Sequence, residues 1–430
     1  MDYQEAVAFL DAHIGQGVKP GLDRIRGLME MMGDPHSAYP VIHVTGSNGK
    51  TSVARMVTSL LVAHGLRVGT FISPHLEKVE ERLALDGTSA TAEEFAGAVA
   101  DLAPFVELYE DRNPEPPTYF ELTAALAFSY FAASAVDVAV IEVGLGGRLD
   151  ATNVAESKVA VITGIALEHT SWLGDTLEQI GGEKLAIAKP SSVLVTGSLP
   201  EEVLPLAAAR AADLEIEYRR FGAEFHPEFV AMAVGGWSGS ISGVYETYDD
   251  VYLPVHGRHQ FDNFAVAVAA AEELTGRPLD PDAVREGAAA TTTPGRLEVA
   301  GNNPLILLDG AHNPQAFELL AESIDAEFPD ARWVLMIGVM GDKDLDGMLM
   351  HLAGLVDVVV ATNVDYDRAV PADRVAEIAR TALDVPVEVA PTIPGALEAV
   401  RRLAGNDGAI LVTGSLYVVG EARTHLLVES

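Results

Sequence analysis

The sequence predicts an α/β protein in two parts. The first is an N-terminal P-loop domain on a doubly wound, mostly parallel sheet with a small antiparallel sheet. The second is a smaller C-terminal Rossmann-like α/β domain. Three observations carry this reading. Short β-branched apolar runs alternate with segments of helical periodicity, as in a parallel sheet covered by helices. Residues 229–255 break that alternation with period-two patterning and glycine turns at Gly235-Gly236 and Gly239, the signature of an antiparallel meander. Over residues 41–63 a strand, a glycine loop, a lysine, two hydroxyls and a helix follow in order.

Taken in order, residues 3–12 and 21–32 read as amphipathic helices, the second ended by Gly33-Asp34-Pro35. A strand at 41–44 leads through the glycine loop to a helix at 53–63, and a strand at 67–72 ends in Ser73-Pro74-His75. Thr91 with Glu94 three places on is a capping box that opens a helix at 91–109. A proline-rich loop at 113–117 precedes an apolar helix at 119–133. The strand at 137–143 carries Glu142 near its end, and the strand at 158–165 runs toward Glu168-His169. A helix at 176–189 and a strand at 192–196 follow. After the meander come a helix at 260–274 and a linker at 291–295. Strands at 305–308, 333–338, 356–361, 385–389 and 409–413 then alternate with helices at 315–328, 345–353, 372–382 and 395–403. The expected division is 1–294 and 295–430.

Composition narrows the function. A 49% hydrophobic chain of 430 residues supports two cores. The absence of cysteine excludes disulfides, iron–sulfur clusters and thiol catalysis. Asp2 and Glu5 stand where a signal peptide would be basic, and the apolar run at 122–136 is too short and polar to span a bilayer, so a cytoplasmic protein is expected. The net charge of −35, with few lysines, argues against nucleic acid and is read as a solvated acidic surface. Adaptation to a salty cytoplasm is the sharper reading, since salt screens self-repulsion.

The chemistry gathers at Gly46-Ser47-Asn48-Gly49-Lys50-Thr51-Ser52. Glycines let backbone N–H groups close around phosphate oxygens, and the helix start adds partial positive charge. Lys50 is placed for the β/γ-phosphates of ATP, and Thr51 or Ser52 for Mg2+. Val44 stands where a strict phosphate loop has its first glycine, so the spacing is the shorter Gly-x-x-Gly-Lys-Thr form; an ordinary glycine turn before a helix is the plain alternative. In doubly wound sheets ligands lie beyond the carboxyl ends of strands. Ser73, Glu142 and His169 all fall there, and a carboxylate at Glu142 suits magnesium.

The ordered set TGSNGKTS, SPHL, PTYFE, EVGLGGRLDATN, LEH…LG, EKLAIAKP, HGRHQFDN, GRLE, LDGAHNP, GDKD and TGSLYVVGEAR resembles the folylpolyglutamate synthase/dihydrofolate synthase family, within the Mur ligase superfamily. The resemblance runs from about Gly21 to the C-terminus. It implies the Mur-ligase central-domain type for the first part and a glutamate-binding second domain. It implies magnesium at Ser73, Glu142 and His169, and a second magnesium on Lys184 if that lysine is carbamylated, which turns a cation into an anionic oxygen ligand. Thr118, Tyr119, Phe120, Glu121, Leu149, Asp150 and Ala151 match pterin-lining segments. Asn263, Arg296 and Asp309 match positions that hold ATP. His312 and Asp342-Lys343-Asp344 match second-domain positions that face the cleft, or serve as caps and turns. There are two departures from the family: Thr51, where glycine is common, and Leu185-Ala186, where Ala-Gly follows the lysine.

The reaction so implied joins a carboxylate to the amine of L-glutamate after ATP phosphorylates the carboxylate, with Lys50, Lys184 and His169 as the catalytic side chains. Domain closure is expected to exclude water from the acyl phosphate. The substrates implied are dihydropteroate, reduced folates, or both, and the chain is expected to be a monomer. A peptidoglycan Mur ligase and a non-catalytic nucleotide-dependent binding protein are the alternatives; only about forty residues precede the phosphate loop, few for an added nucleotide-sugar domain.

Overall fold

The structure is a computed structural model. It describes every residue except Val18, Asp342, Asp367 and Ser430, and only the backbone of Val428 and Glu429. The chain forms two compact units. One comprises 1–231, 238–254 and 261–291; the other comprises 232–237, 255–260 and 292–430.

The first unit is built on an eight-stranded sheet: β1 Val41–Thr45, β2 Val68–Phe71, β3 Leu83–Leu85, β4 Thr88–Ser89, β5 Val138–Glu142, β6 Ser157–Ile162, β7 Val193–Thr196 and β8 Tyr218–Arg220, in the order β4-β3-β2-β5-β1-β6-β7-β8. From β2 to β8 all pairs are parallel; β3 and β4 add an antiparallel edge. β1 and β5 are buried along their whole length, as expected of central strands covered on both faces. Phe71, Phe128, Phe131 and Ile141 belong to one core cluster, and Ala160, Ile162, Leu185 and Leu194 to another.

Strand β1 sits between β5 and β6, so the chain passes from one side of β1 to the other between those two strands. Such a switch point opens a crevice at the carboxyl ends of the strands. The small sheet is a meander of β9 His226–Ala233, β10 Gly236–Ser242 and β11 Thr247–Leu253, in the order β11-β10-β9.

The second unit carries β12 Glu298–Asn302, β13 Leu305–Leu308, β14 Trp333–Ile337, β15 Val356–Ala361, β16 Val387–Val389 and β17 Ala409–Thr413, in the order β12-β13-β17-β14-β15-β16. All pairs are parallel except β12 with β13. Its core gathers Trp333, Leu335, Ile337, Val359 and Leu411.

Most elements lie where expected, with shifted ends. The helix after the phosphate loop starts at Lys50 rather than at 53, because Gly49 takes φ 83° and serves as N-cap. This correction puts Lys50, Thr51 and Ser52 in the first helical turn. The capping boxes are formed as sequence suggests at Thr91/Glu94, and a second stands at Thr118/Glu121.

Several elements escaped the reading. The β3–β4 hairpin turns at Asp86-Gly87, both with positive φ, a dipeptide that favours the tight turn between antiparallel strands. The Pro281–Ala289 helix starts with Asp280 as N-cap and proline in its first turn, again a local signal. The Leu204–Leu214 and Leu416–Glu429 helices were also missed.

Candidate active site

The site begins with the backbone of β1. Beyond Thr45 the chain turns at Gly46 (φ 154°) and Gly49 (φ 83°). A Cβ on Gly46 would lie 1.9 Å from Thr163 Oγ1, and one on Gly49 2.8 Å from Asn263 Oδ1. Both positions therefore need glycine for space and conformation. The loop is tied to the segment after β6: Ser47 N donates to Gly164 O at 2.8 Å, Ala166 N to Ser47 Oγ at 2.9 Å, and Thr163 Oγ1 to Asn48 O at 2.5 Å. Lys50 Nζ donates to Gly46 O at 2.9 Å and Ser47 O at 3.1 Å.

One polar group forms where β1, β2 and β5 end. Thr51 Oγ1 lies 3.0 Å from both oxygens of Glu142, and Ser73 N donates to Glu142 Oε2 at 3.2 Å. Glu142 is buried. Ser52 is buried as well, so it is Thr51 that addresses the carboxylate. Hydroxyl and carboxylate oxygens are the hard donors that magnesium favours. Among the described residues no group of three or more His, Cys, Asp or Glu is arranged to hold a metal ion. Any magnesium here would thus draw its remaining oxygens from water and phosphate, as that ion usually does.

A second polar group lines a small recess with Thr45, Lys50, Gly144, Glu168, His169 and Lys184. Lys184 Nζ is 2.8 Å from Glu168 Oε1 and donates to Gly46 O at 2.8 Å. Burial pushes the Lys184 ammonium down to about 8, against the pull of Glu168. Burial alone would raise Glu168, but Lys184 and Lys50 outweigh it and hold the carboxyl at about 2. His169, with φ 45°, opens the short Thr170–Leu173 helix. The sequence reading passed over Glu168; its one signal was an acid beside His169 at the end of an apolar strand.

The substrate-lining candidates fall into two segments. Thr118 caps the Tyr119–Ala133 helix. Glu121 accepts from Thr118 N at 2.7 Å and Arg24 Nε at 3.1 Å, and pairs with Arg24 Nη2 at 3.1 Å. Glu121 therefore anchors the helix start. The Phe120 ring packs so closely on Gly144 that a Cβ there would lie 2.4 Å from it. Asp150 is buried and accepts from Leu145 N at 2.9 Å, Thr152 N at 3.0 Å and Thr152 Oγ1 at 2.5 Å. It thereby folds the 144–150 loop and caps the 3-10 turn that contains Ala151. Leu149 is exposed.

Asn263 lies on the Arg258–Thr275 helix against Gly49. In the second unit, Asp309 follows β13 and accepts from Leu297 N at 2.9 Å and Ala311 N at 2.8 Å. Burial raises its pKa, and nearby Arg296 opposes the rise. His312 Nδ1 lies 2.8 Å from Gly310 O. Asp344 caps the Leu345–Met350 helix through Gly347 N at 3.0 Å. Asp342, named with it in the sequence, lies outside the described residues.

The chain is similar to known proteins over nearly its whole length. Residues 44–271 match the Mur ligase middle domain, and residues 295–416 the Mur ligase glutamate ligase domain. The dihydrofolate synthase/folylpolyglutamate synthase of Mycobacterium tuberculosis is 37% identical, over 95% of this chain and 90% of that protein. A probable bifunctional folylpolyglutamate synthase/dihydropteroate synthase of Haloferax volcanii is 36% identical over 99% of this chain, which spans 50% of that longer protein. The solved M. tuberculosis folylpolyglutamate synthase complexed with ADP superposes with a TM-score of 0.95 at 36% identity, covering 99% of this chain and 98% of that one. No helix among the described residues is long and apolar enough to cross a membrane. On these domain matches and on the identity shared along its length, the chain belongs to the dihydrofolate synthase/folylpolyglutamate synthase family of Mur ligases.

Proposed function

We propose that this protein is an ATP-dependent ligase that adds L-glutamate to dihydropteroate and to reduced folate (poly)glutamates. The observation that carries the reading is the recess in which Lys50 and Lys184 meet Glu168 beside the glycine loop. Two cations converging on one carboxylate next to phosphate-binding backbone suit the transfer of a highly charged group.

In the proposed reaction a carboxylate oxygen of the pterin substrate takes the γ-phosphoryl group and ADP leaves. The amine of glutamate then attacks the acyl carbon, phosphate leaves, and the amine proton passes to solvent. The loop N–H groups and Lys50 hold the triphosphate, with Gly46, Asn48, Gly49, Thr51 and Asn263 shaping the loop. Thr118, Tyr119, Phe120, Leu149, Asp150 and Ala151 orient the pterin end, Glu121 anchoring the helix that carries three of them. Arg296, Asp309 and His312 serve the nucleotide and glutamate from residues 295–430, proposed as the second domain after an ATP-binding domain at 1–294.

Thr51, Glu142, Ser73 and His169 would hold Mg2+, which when bound neutralises charge on the phosphates. A carbamate on Lys184 fits less simply. The lowered pKa leaves some neutral amine, the form that reacts with CO2, yet a carbamate would set an anion against Glu168. With Lys184 so modified, Lys50 would remain as the protein's own cation beside Glu168, and a second magnesium, if bound, would supply further positive charge there. A monomer in the cytoplasm, with no nucleic-acid partner, completes the proposal.

The test is incubation with ATP, magnesium, glutamate and either dihydropteroate or tetrahydrofolate. Glutamate-dependent phosphate release with either pterin supports the reading. No release with any pterin refutes it; release with a nucleotide-sugar peptide instead would assign a peptidoglycan ligase.

A further inference from the structure

Arg82 follows the loop that begins at Ser73 and is buried, 7% exposed. A buried guanidinium is held by what it touches, and three of its contacts lead to the candidate site. Its Nη1 donates to Ser73 Oγ at 3.2 Å, and its Nε to His75 Nδ1 at 3.0 Å. Its Cζ lies over the Tyr119 ring, 5.5 Å from the centroid, within cation–π range. His75 accepts at Nδ1, since the Arg82 Nε–H can only donate.

These contacts complete a chain of polar links. Thr51 reaches Glu142, Glu142 accepts from Ser73 N, and Ser73 Oγ accepts from Arg82, whose face covers Tyr119. The first three residues form the oxygen group beside the phosphate loop. Tyr119 opens the helix whose start is the candidate pterin lining. A hydroxyl has two acceptor directions and one proton; a donor fixed on one acceptor direction orients the other two.

We infer that Arg82 is a positioning residue that sets the Ser73 hydroxyl for magnesium and the Tyr119 ring for the pterin, and so couples the two sites. The first half of the inference rests on the proposed magnesium at Ser73, and the second on the proposed ligase reading. A planar fork is needed for the two hydrogen bonds, whereas any cation in place serves the ring.

The experiment compares R82K, R82M, S73A and Y119L with the unaltered protein, after circular dichroism confirms folding. Calorimetry with a non-hydrolysable ATP analogue, at graded free magnesium, reads the first arm without turnover. Equilibrium binding of dihydropteroate reads the second. R82K should raise the magnesium needed by about tenfold, the usual cost of losing an outer-shell partner, and S73A, which removes the proposed ligand itself, by at least as much. Analogue binding without magnesium should stay the same. R82M should show that loss and also weaken dihydropteroate by about threefold to tenfold. Y119L should weaken dihydropteroate alone, and R82M should add little to it.

Unchanged constants in both arms of R82M would overturn the inference. So would equal losses with and without magnesium. If R82M does not fold, R82K against Y119L decides the split. If the unaltered protein binds no pterin, the ligase reading and the second half fall together, while the magnesium arm still judges the first.

Discussion

Lys184 and Glu168 form a buried ion pair at 2.8 Å, and the lysine also reaches Gly46 O. The side chains are 2% and 6% exposed, so neither charge is relieved by water. Removing one partner leaves the other uncompensated. Glu168→Gln is therefore expected to cost about 3 kcal/mol of stability, read by urea unfolding. The double variant E168Q/K184M should recover part of the loss. A melting curve of E168Q equal to that of the unaltered protein would contradict this account.

Lys50 is only partly buried and bonds to carbonyls of its own loop. Lys50→Ala should leave unfolding within about 1 kcal/mol, as for a residue outside the core. On its proposed role at the β/γ-phosphates, ATP turnover should vanish. Retained ligase activity in this variant would refute the assignment of the loop.

Gly46 and Gly49 fail differently when given a side chain. G46A drives a Cβ into Thr163 Oγ1, with the Thr163 backbone N at 3.1 Å behind it. The loop must move, and nucleotide binding should be lost. G49A meets the end of the Asn263 amide at 2.8 Å and keeps φ 83°. Its cost is mainly the left-handed backbone, about 1–2 kcal/mol. Calorimetry with ADP should rank G49A between the unaltered protein and G46A.

Acid should destabilise the first unit through its buried histidines. His43 is held down to about 3 by burial, then by Lys189, and His75 to about 4. His43 Nε2 meets Thr152 Oγ1 at 2.8 Å, while its Nδ1 is buried without a partner. The unfolded chain binds these protons near pH 6.5 and the folded chain does not. Stability is then full above pH 6.5 and falls between about pH 6.5 and 3, by a few kcal/mol for His43. Asp150 works in the opposite direction, since burial raises it. H43Q should flatten the decline of melting temperature between pH 6.5 and 4; an unchanged slope would count against it.

The net charge of −35 gives a prediction about salt. Self-repulsion of an acidic surface is screened by added ions. The melting temperature should rise with KCl; a flat or falling curve would remove the idea of a salty working environment.

Much of this protein was legible in local sequence. Thr91 and Thr118 announce helix starts because a cap and its glutamate are three residues apart. Gly46 to Lys50 announces the phosphate loop because strand, turn and helix are consecutive. Glu142 stands out because a charge ends an apolar strand. The Asp86-Gly87 hairpin and the Asp280-Pro281 helix start carry equally local signals, but strands of two and three residues are too short to show a period of their own.

What remained hidden was pairing at a distance. Lys184 meets Gly46 across 138 positions, Arg24 meets Glu121 across 97, and Thr51 meets Glu142 across 91. Nothing in the neighbourhood of either residue specifies its partner. The sequence by itself determined the α/β class, most of the longer elements and the identity of the phosphate loop, because propensity, capping and turn chemistry act over a few residues. Only the tertiary structure decided that Glu168 would neutralise Lys184 and that Arg82 would join Ser73 to Tyr119. Those contacts depend on strand order and on which loops one sheet edge brings together.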